Sequence, residues 1–267
     1  MSLVYDPIAE LQKLGYTERE AAFLYLVGMH CGYFLRRQYL QFLRREDGAM
    51  VQRFLEKSIK REHAHAIEYA HGRHIFHLKS KTIYRILDQE NSQNRRAKAD
   101  TEIKLRLMQL DYLLDHFGDT FLETAERKVQ FFRDKLGVPF ELLPSILYRG
   151  SSVTDMQVRY FVDRFPISVH VGTDGKEPLV RFVYVDPGLR SVSSFARWMD
   201  ERAALLSALK RAEIIYTADT AHNFTAAEHE FLRRLSAGVM AQTISIRGYL
   251  LQHDYPIWSM KYRRAVL

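Results

Sequence analysis

Arg36, Arg37, Gln52, Arg53, Lys57, Lys60, Arg61, His71, Arg73 and His74 are the side chains whose types and grouping match a definite chemistry, contact with a nucleic acid. Arginine and glutamine can bond the major-groove edges of guanine and adenine, and basic side chains meet phosphate oxygens. Positions 36–98 hold 15 Lys/Arg against seven Asp/Glu, whereas the whole chain of 267 residues holds 39 against 32. The local excess is larger than the overall one, so the remainder is close to neutral. A polyanionic partner and a merely solvated basic face both fit this charge. The elements that carry it decide between them.

Other chemistries are sparsely represented. No Walker-type phosphate loop, G-x-G-x-x-G, H-E-x-x-H or G-x-S-x-G occurs. Cys31 is the only cysteine, so an intrachain disulfide and a cysteine-rich zinc site are both excluded. His30 beside it is no thiolate partner, because neighbours on a helix project about 100° apart. His63, His65, His74 and His77 fall on one hairpin, but no cysteine or closely spaced carboxylate joins them. The reading is therefore of no metal, no cofactor and no catalytic residue.

The scaffold under the basic residues is regular. Thr17-Glu18-Arg19-Glu20 forms a capping box ahead of a helix that ends at Cys31-Gly32. A second helix over 35–43 places Leu35, Tyr39, Phe42 and Leu43 inward, with Arg36, Arg37 and Gln41 outward. A third, over 49–62, buries Met50, Phe54, Leu55 and Ile59 and presents Gln52, Arg53, Lys57, Lys60 and Arg61. The period then changes to alternation in 64–69 and 74–78 around His71-Gly72-Arg73, a hairpin with glycine at its tip. Three helices before a basic hairpin is the order of a winged helix-turn-helix, whose third helix enters the major groove and whose wing meets phosphates. Protonation of His71 and His74 below about pH 6.5 is expected to strengthen such binding.

Composition places the rest. Hydrophobic residues at 47% and charged residues at 27% indicate a globular chain, and its length suits two domains. No run of about 18 apolar residues is present, and positions 1–7 lack a secretory pattern, so a cytoplasmic protein without membrane contact is expected. Positions 89–96 are polar and aperiodic and read as a linker. Ile103, Leu107, Leu110, Leu114 and Phe117 follow at heptad spacing, which suits either core packing or a homodimer seam. A further helix is expected over 119–135. Strands are read over 157–163, 167–171, 179–185 and 213–217, with a turn at 173–176, a helix over 193–211 and another capped by Thr225. Positions 240–267 show no clear pattern.

The N-terminal winged helix, the segment Phe182-Val183-Tyr184-Val185-Asp186-Pro187-Gly188, the following helix and Ile214-Ile215-Tyr216-Thr217-Ala218 resemble the plasmid replication-relaxation-like family. The resemblance implies a restriction-endonuclease-like second domain and a setting on plasmids or other mobile elements. An active nuclease of that fold needs metal-binding acids and an acid-x-Lys triplet. Asp163, Asp174 and Asp186, with Lys176 or Arg181, are the residues available, and no strand carries the triplet.

The sequence thus reads as an α+β protein: a winged helix-turn-helix DNA-binding domain over 1–90, a linker and helical connector over 91–139, and a small α/β domain over 140–267 resembling a degenerate restriction-endonuclease-like fold. Its expected function is sequence-specific binding of double-stranded DNA in transcription or replication control, without catalysis, with homodimerisation as a further expectation. A metal-dependent nuclease and a ligand-sensing transcriptional regulator are the alternatives.

Overall fold

The computed structural model describes residues 5–45, 48–70, 72–149, 156–163, 165–171, 177–188, 191–253 and 255. The chain is α+β and divides into two compact units, Met1–Phe117 with His253–Leu267, and Gly118–Gln252.

In the first unit, Asp6 accepts the Ile8 amide and Pro7 sets the first turn of α1 (Pro7–Lys13). The capping box forms as read: the Glu20 carboxylate takes the Thr17 amide at 2.7 Å and starts α2 (Glu18–His30). Then follow β1 (Tyr33–Leu35), α3 (Arg36–Leu43), α4 (Ala49–Lys60), β2 (Ala64–Ala70), β3 (Arg73–Leu78), α5 (Lys81–Ile86) and α6 (Asp100–Asp115). The strands make an antiparallel sheet in the order β1-β3-β2, with Tyr33 opposite His77 and Ile67 opposite Ile75. Phe23 stands against Phe34, Tyr39 and Phe54, a ring cluster that locks α2, α3 and α4 together. Strand β1 was not anticipated, since three residues are too few to show alternation.

Two expectations change here. The polar segment 89–96 is not a free linker. Asn94 is fully buried; its amide donates to the carbonyls of Gly28 and Met29, and its own carbonyl bonds His77 Nε2 at 3.0 Å. The last turn of α2 has carbonyls without helical donors, and this side chain supplies one. Gly32, at φ +77°, leaves room for it, because a Cβ there would come within 2.6 Å of the Asn94 carbonyl. The seam residues Ile103, Leu107, Leu110 and Leu114 are buried within the chain itself, along with every other residue from 103 to 114, while Phe117 is exposed. Helix α6 packs on β1, α2 and α3 as a core element, so the units divide after Phe117 and not at 90 and 139.

The second unit contains β4 (Thr120–Phe121), α7 (Ala125–Gln130) continuing into a π turn (Phe131–Lys135), β5 (Ser145–Arg149), β6 (Met156–Tyr160), β7 (Ile167–His170), β8 (Leu179–Asp186), α8 (Val192–Asp200), α9 (Ala203–Ala208), β9 (Ala212–Ala218), α10 (Phe224–Ser236) and β10 (Ile244–Leu250). Five strands form one mixed sheet in the order β10-β9-β8-β7-β4, with β10, β9 and β8 parallel and β8, β7 and β4 antiparallel. Among the described residues, strands β5 and β6 pair only with each other. Phe132 stacks on Phe161 and Phe182, and Tyr184 meets Phe195, Trp198 and Tyr216, filling one side of the sheet. The helix expected over 119–135 begins instead with a strand and a Thr124 cap, and that over 193–211 is two helices. Strand β10 lies where no pattern was legible. The turn at 173–176 lies outside the described residues. Among the described residues no helix is long and apolar enough to cross a membrane.

Candidate nucleic-acid interface

Helix α4 turns about 100° per residue, and the arc it buries is Val51, Phe54, Leu55 and Ser58. Met50 and Ile59, expected inside, are 49% and 41% exposed. The true buried arc points in the expected direction but is narrower, with Met50 and Ile59 at its two margins, and the residues opposite it, Ala49, Arg53, Glu56 and Lys60, form one exposed line. Arg53 and Lys60 have no hydrogen-bond or ion-pair partner among the described residues.

The other basic candidates are divided by their partners. Arg37 donates both ends of its guanidinium to Asp111, at 2.7 and 2.8 Å, and Asp111 is fully buried. Lys57 bonds Glu20 at 2.5 Å and the Gly15 carbonyl at 3.1 Å, with its ammonium 5.1 Å from the Tyr16 ring centre. Arg61 lies over the same ring at 5.8 Å. These three, expected to face DNA, also make contacts within the unit. A cation held by a carboxylate or spread on a ring is less available to phosphate. Arg36 donates to Gln52 at 3.2 Å, and Gln52 donates to Glu56 at 2.8 Å.

At the other end of α4, the Tyr16 hydroxyl meets His63 Nδ1 at 2.7 Å. Burial, and secondarily Arg61, holds the His63 imidazole below its ordinary pKa. Burial raises the Tyr16 phenol. The β2–β3 hairpin forms as read. Gly72, at φ +68°, turns its tip and donates to Glu68 at 3.1 Å. Arg73 is exposed there and has no hydrogen-bond or ion-pair partner among the described residues. His74 is half-buried near Phe76, and His71 lies outside the described residues. His77 stacks flat on Tyr33, at 4.2 Å between ring centres, and burial lowers its pKa. No group of three or more His, Cys, Asp or Glu among the described residues is arranged to hold a metal ion.

The acids considered for nuclease chemistry hold the second unit together. Asp186, buried at the end of β8, accepts from Tyr216 at 2.5 Å, Asn223 at 2.9 Å and the Gly188 amide at 2.9 Å. Asp163 accepts from the Trp198 indole at 2.9 Å and Arg202 at 2.6 Å. Arg181 bonds Glu213 across β8 and β9 at 2.8 Å. Asp174 and Lys176 lie outside the described residues.

Glu56 is the residue that sequence reasoning passed over. Its spacing of three from Arg53 and four from Lys60 was the available signal. Compared with family models, with curated proteins and with solved structures, the chain matches none.

Proposed function

We propose that the chain is a sequence-specific, double-stranded DNA-binding regulator whose first unit is a winged helix-turn-helix. The element order α2-β1-α3-α4-β2-β3 suits that reading, with α4 entering the major groove and the β2–β3 hairpin acting as the wing. The observation that carries it is the exposed line on α4 bearing Arg53 and Lys60, which have no side-chain partners among the described residues, together with a hairpin tip bearing an exposed Arg73. Long basic side chains left unpaired are the groups that displace counterions from a duplex.

The second unit is read as a restriction-endonuclease-like sheet without catalysis, in a cytoplasmic protein acting in replication or transcription control on a plasmid or other mobile element. Asp163 and Asp186 being occupied by protein donors supports the non-catalytic reading. A homodimer belongs to the proposal only through a surface other than α6, whose apolar residues are already buried in one chain.

The test is fluorescence anisotropy of a labelled duplex titrated with the full chain over a range of salt. Binding whose logarithm falls linearly with log salt is expected. Absence of binding, or indifference to salt, removes the reading. Incubation of plasmid with Mg²⁺ or Mn²⁺ tests the absence of catalysis: cutting abolished by Asp186→Ala would establish a nuclease instead.

A further inference from the structure

We infer that Glu56 is the specificity-determining residue of the α4 face, accepting the exocyclic amino group of a cytosine beside the guanine taken by Arg53. The inference rests on the DNA-binding reading of that face.

Ala49, Arg53, Glu56 and Lys60 follow one another at spacings of four, three and four, so they share one line along the exposed side of the helix. Residues three apart on a helix have Cβ atoms about 5–6 Å apart. Base pairs rise about 3.4 Å, so side chains from these two positions reach neighbouring pairs.

A carboxylate in the middle of this line is costly for a helix that binds DNA through phosphates alone, because it repels them. No compensation comes from Arg53. The two are well spaced for an ion pair, yet Arg53 has no partner among the described residues. Glu56 is instead oriented from its side. The Gln52 amide donates to Oε1 at 2.8 Å, and the Gln52 carbonyl oxygen is itself held by Arg36 Nη1 at 3.2 Å. This relay fixes one carboxylate oxygen and leaves Oε2 without a hydrogen-bond partner among the described residues. The result is a preoriented acceptor in a row of donors.

In the major groove, guanine shows two acceptors, adenine an acceptor beside a donor, thymine an acceptor and a methyl group, and cytosine a donor. A bare acceptor is repelled by guanine, is opposed by the N7 of adenine, and finds a matching group on cytosine. Arg53, a fork of donors, matches the O6 and N7 of guanine. Glu56 therefore lowers affinity for every wrong duplex while bonding the right one, which is specificity built partly from repulsion.

The experiment uses the full chain, with a pool of duplexes randomised over their central base pairs for selection, followed by anisotropy on the selected duplex and on its single-pair variants. The expected selection contains a cytosine adjacent to a guanine. Glu56→Ala should reduce discrimination at the cytosine by about five- to 150-fold and raise affinity for unrelated duplexes about twofold at low salt. Glu56→Gln should move the preference at that position toward adenine, whose N6 and N7 match an amide. Circular dichroism melts of both variants should coincide with the parent, since Glu56 is exposed. If the parent selects a sequence but Glu56→Ala keeps the same discrimination, the assignment of Glu56 is wrong and the DNA-binding reading stands. If the parent binds no duplex, both readings are wrong.

Discussion

The guanidinium of Arg37, at the start of α3, and the buried carboxylate of Asp111, on α6, form a two-pronged hydrogen-bonded ion pair at 2.7 and 2.8 Å. Gln38 donates to the same carboxylate at 2.8 Å and Tyr255 at 2.5 Å, so four hydrogen bonds converge on one buried acid. Asp111→Ala would leave these donors without their acceptor. It should lower unfolding stability by about 2–4 kcal/mol, somewhat under the usual cost of breaking a buried pair because Arg37 is partly exposed. Urea unfolding should show the midpoint falling with the slope unchanged. A loss under about 0.5 kcal/mol would mean that the cluster does not hold α3 on α6.

Arg53 and Lys57 lie one turn apart on α4 and should respond in opposite ways. Arg53→Ala should weaken a selected duplex by about 1–3 kcal/mol and leave the melting temperature alone. Lys57→Ala, which removes the bond to Glu20 and the contact with Tyr16, should cost about 1 kcal/mol of stability and change duplex affinity little. Paired anisotropy and melting measurements on the two variants decide the matter. The reverse pattern would place Lys57 on the DNA face.

Arg73, at the hairpin tip, should act through charge alone. Arg73→Ala is expected to weaken selected and unrelated duplexes by a similar factor and to reduce the magnitude of the salt slope by about one unit. If stability drops and the salt slope holds, the hairpin is a packing element.

Stability should fall in mild acid. Burial is the first cause that lowers the pKa of both His63 and His77 from 6.5; Arg61 adds to it at His63, whereas the Asn94 carbonyl partly opposes it at His77. As pH falls below 6.5, the unfolded chain takes up protons before the folded one does. Stability present above that value is therefore lost as pH drops toward the depressed folded values. Melting temperatures between about pH 7.5 and about pH 5.5 should decline. His77→Phe, which keeps a ring to stack on Tyr33, should flatten part of that decline. A profile that is flat or rises toward acid contradicts the assignment.

Local signals in the sequence sufficed for much of the first unit. The Thr17–Glu20 box, the α3–α4 pair and the hairpin around Gly72 depend on contacts within a few residues, and spacing of three, four or two encodes those directly. Strand β10 escaped notice because its alternation, Ile244-Ser245-Ile246-Arg247, stops at Gly248, and a four-residue alternation is too short to read without the β9 strand it pairs with. Asn94 reads as loop composition, and its role as donor to the end of α2 depends on residues more than 60 positions earlier.

The basic character of 36–98 and the existence of a helix bearing Gln52, Arg53, Lys57 and Lys60 were determined by the sequence alone. Which of those cations remain available was decided only by the tertiary structure. Lys57 meets its carboxylate 37 positions away and Arg37 meets its own 74 away, separations at which no spacing rule operates. The width of the buried face of α4 was decided the same way. Met50, Val51 and Ile59 are all apolar, and the packing of Val51 and Ser58 inward left Met50 and Ile59 at the exposed margins, with Arg53 outward as read. Charge and periodicity are properties of a segment, whereas a side chain's partner is a property of the whole packed unit.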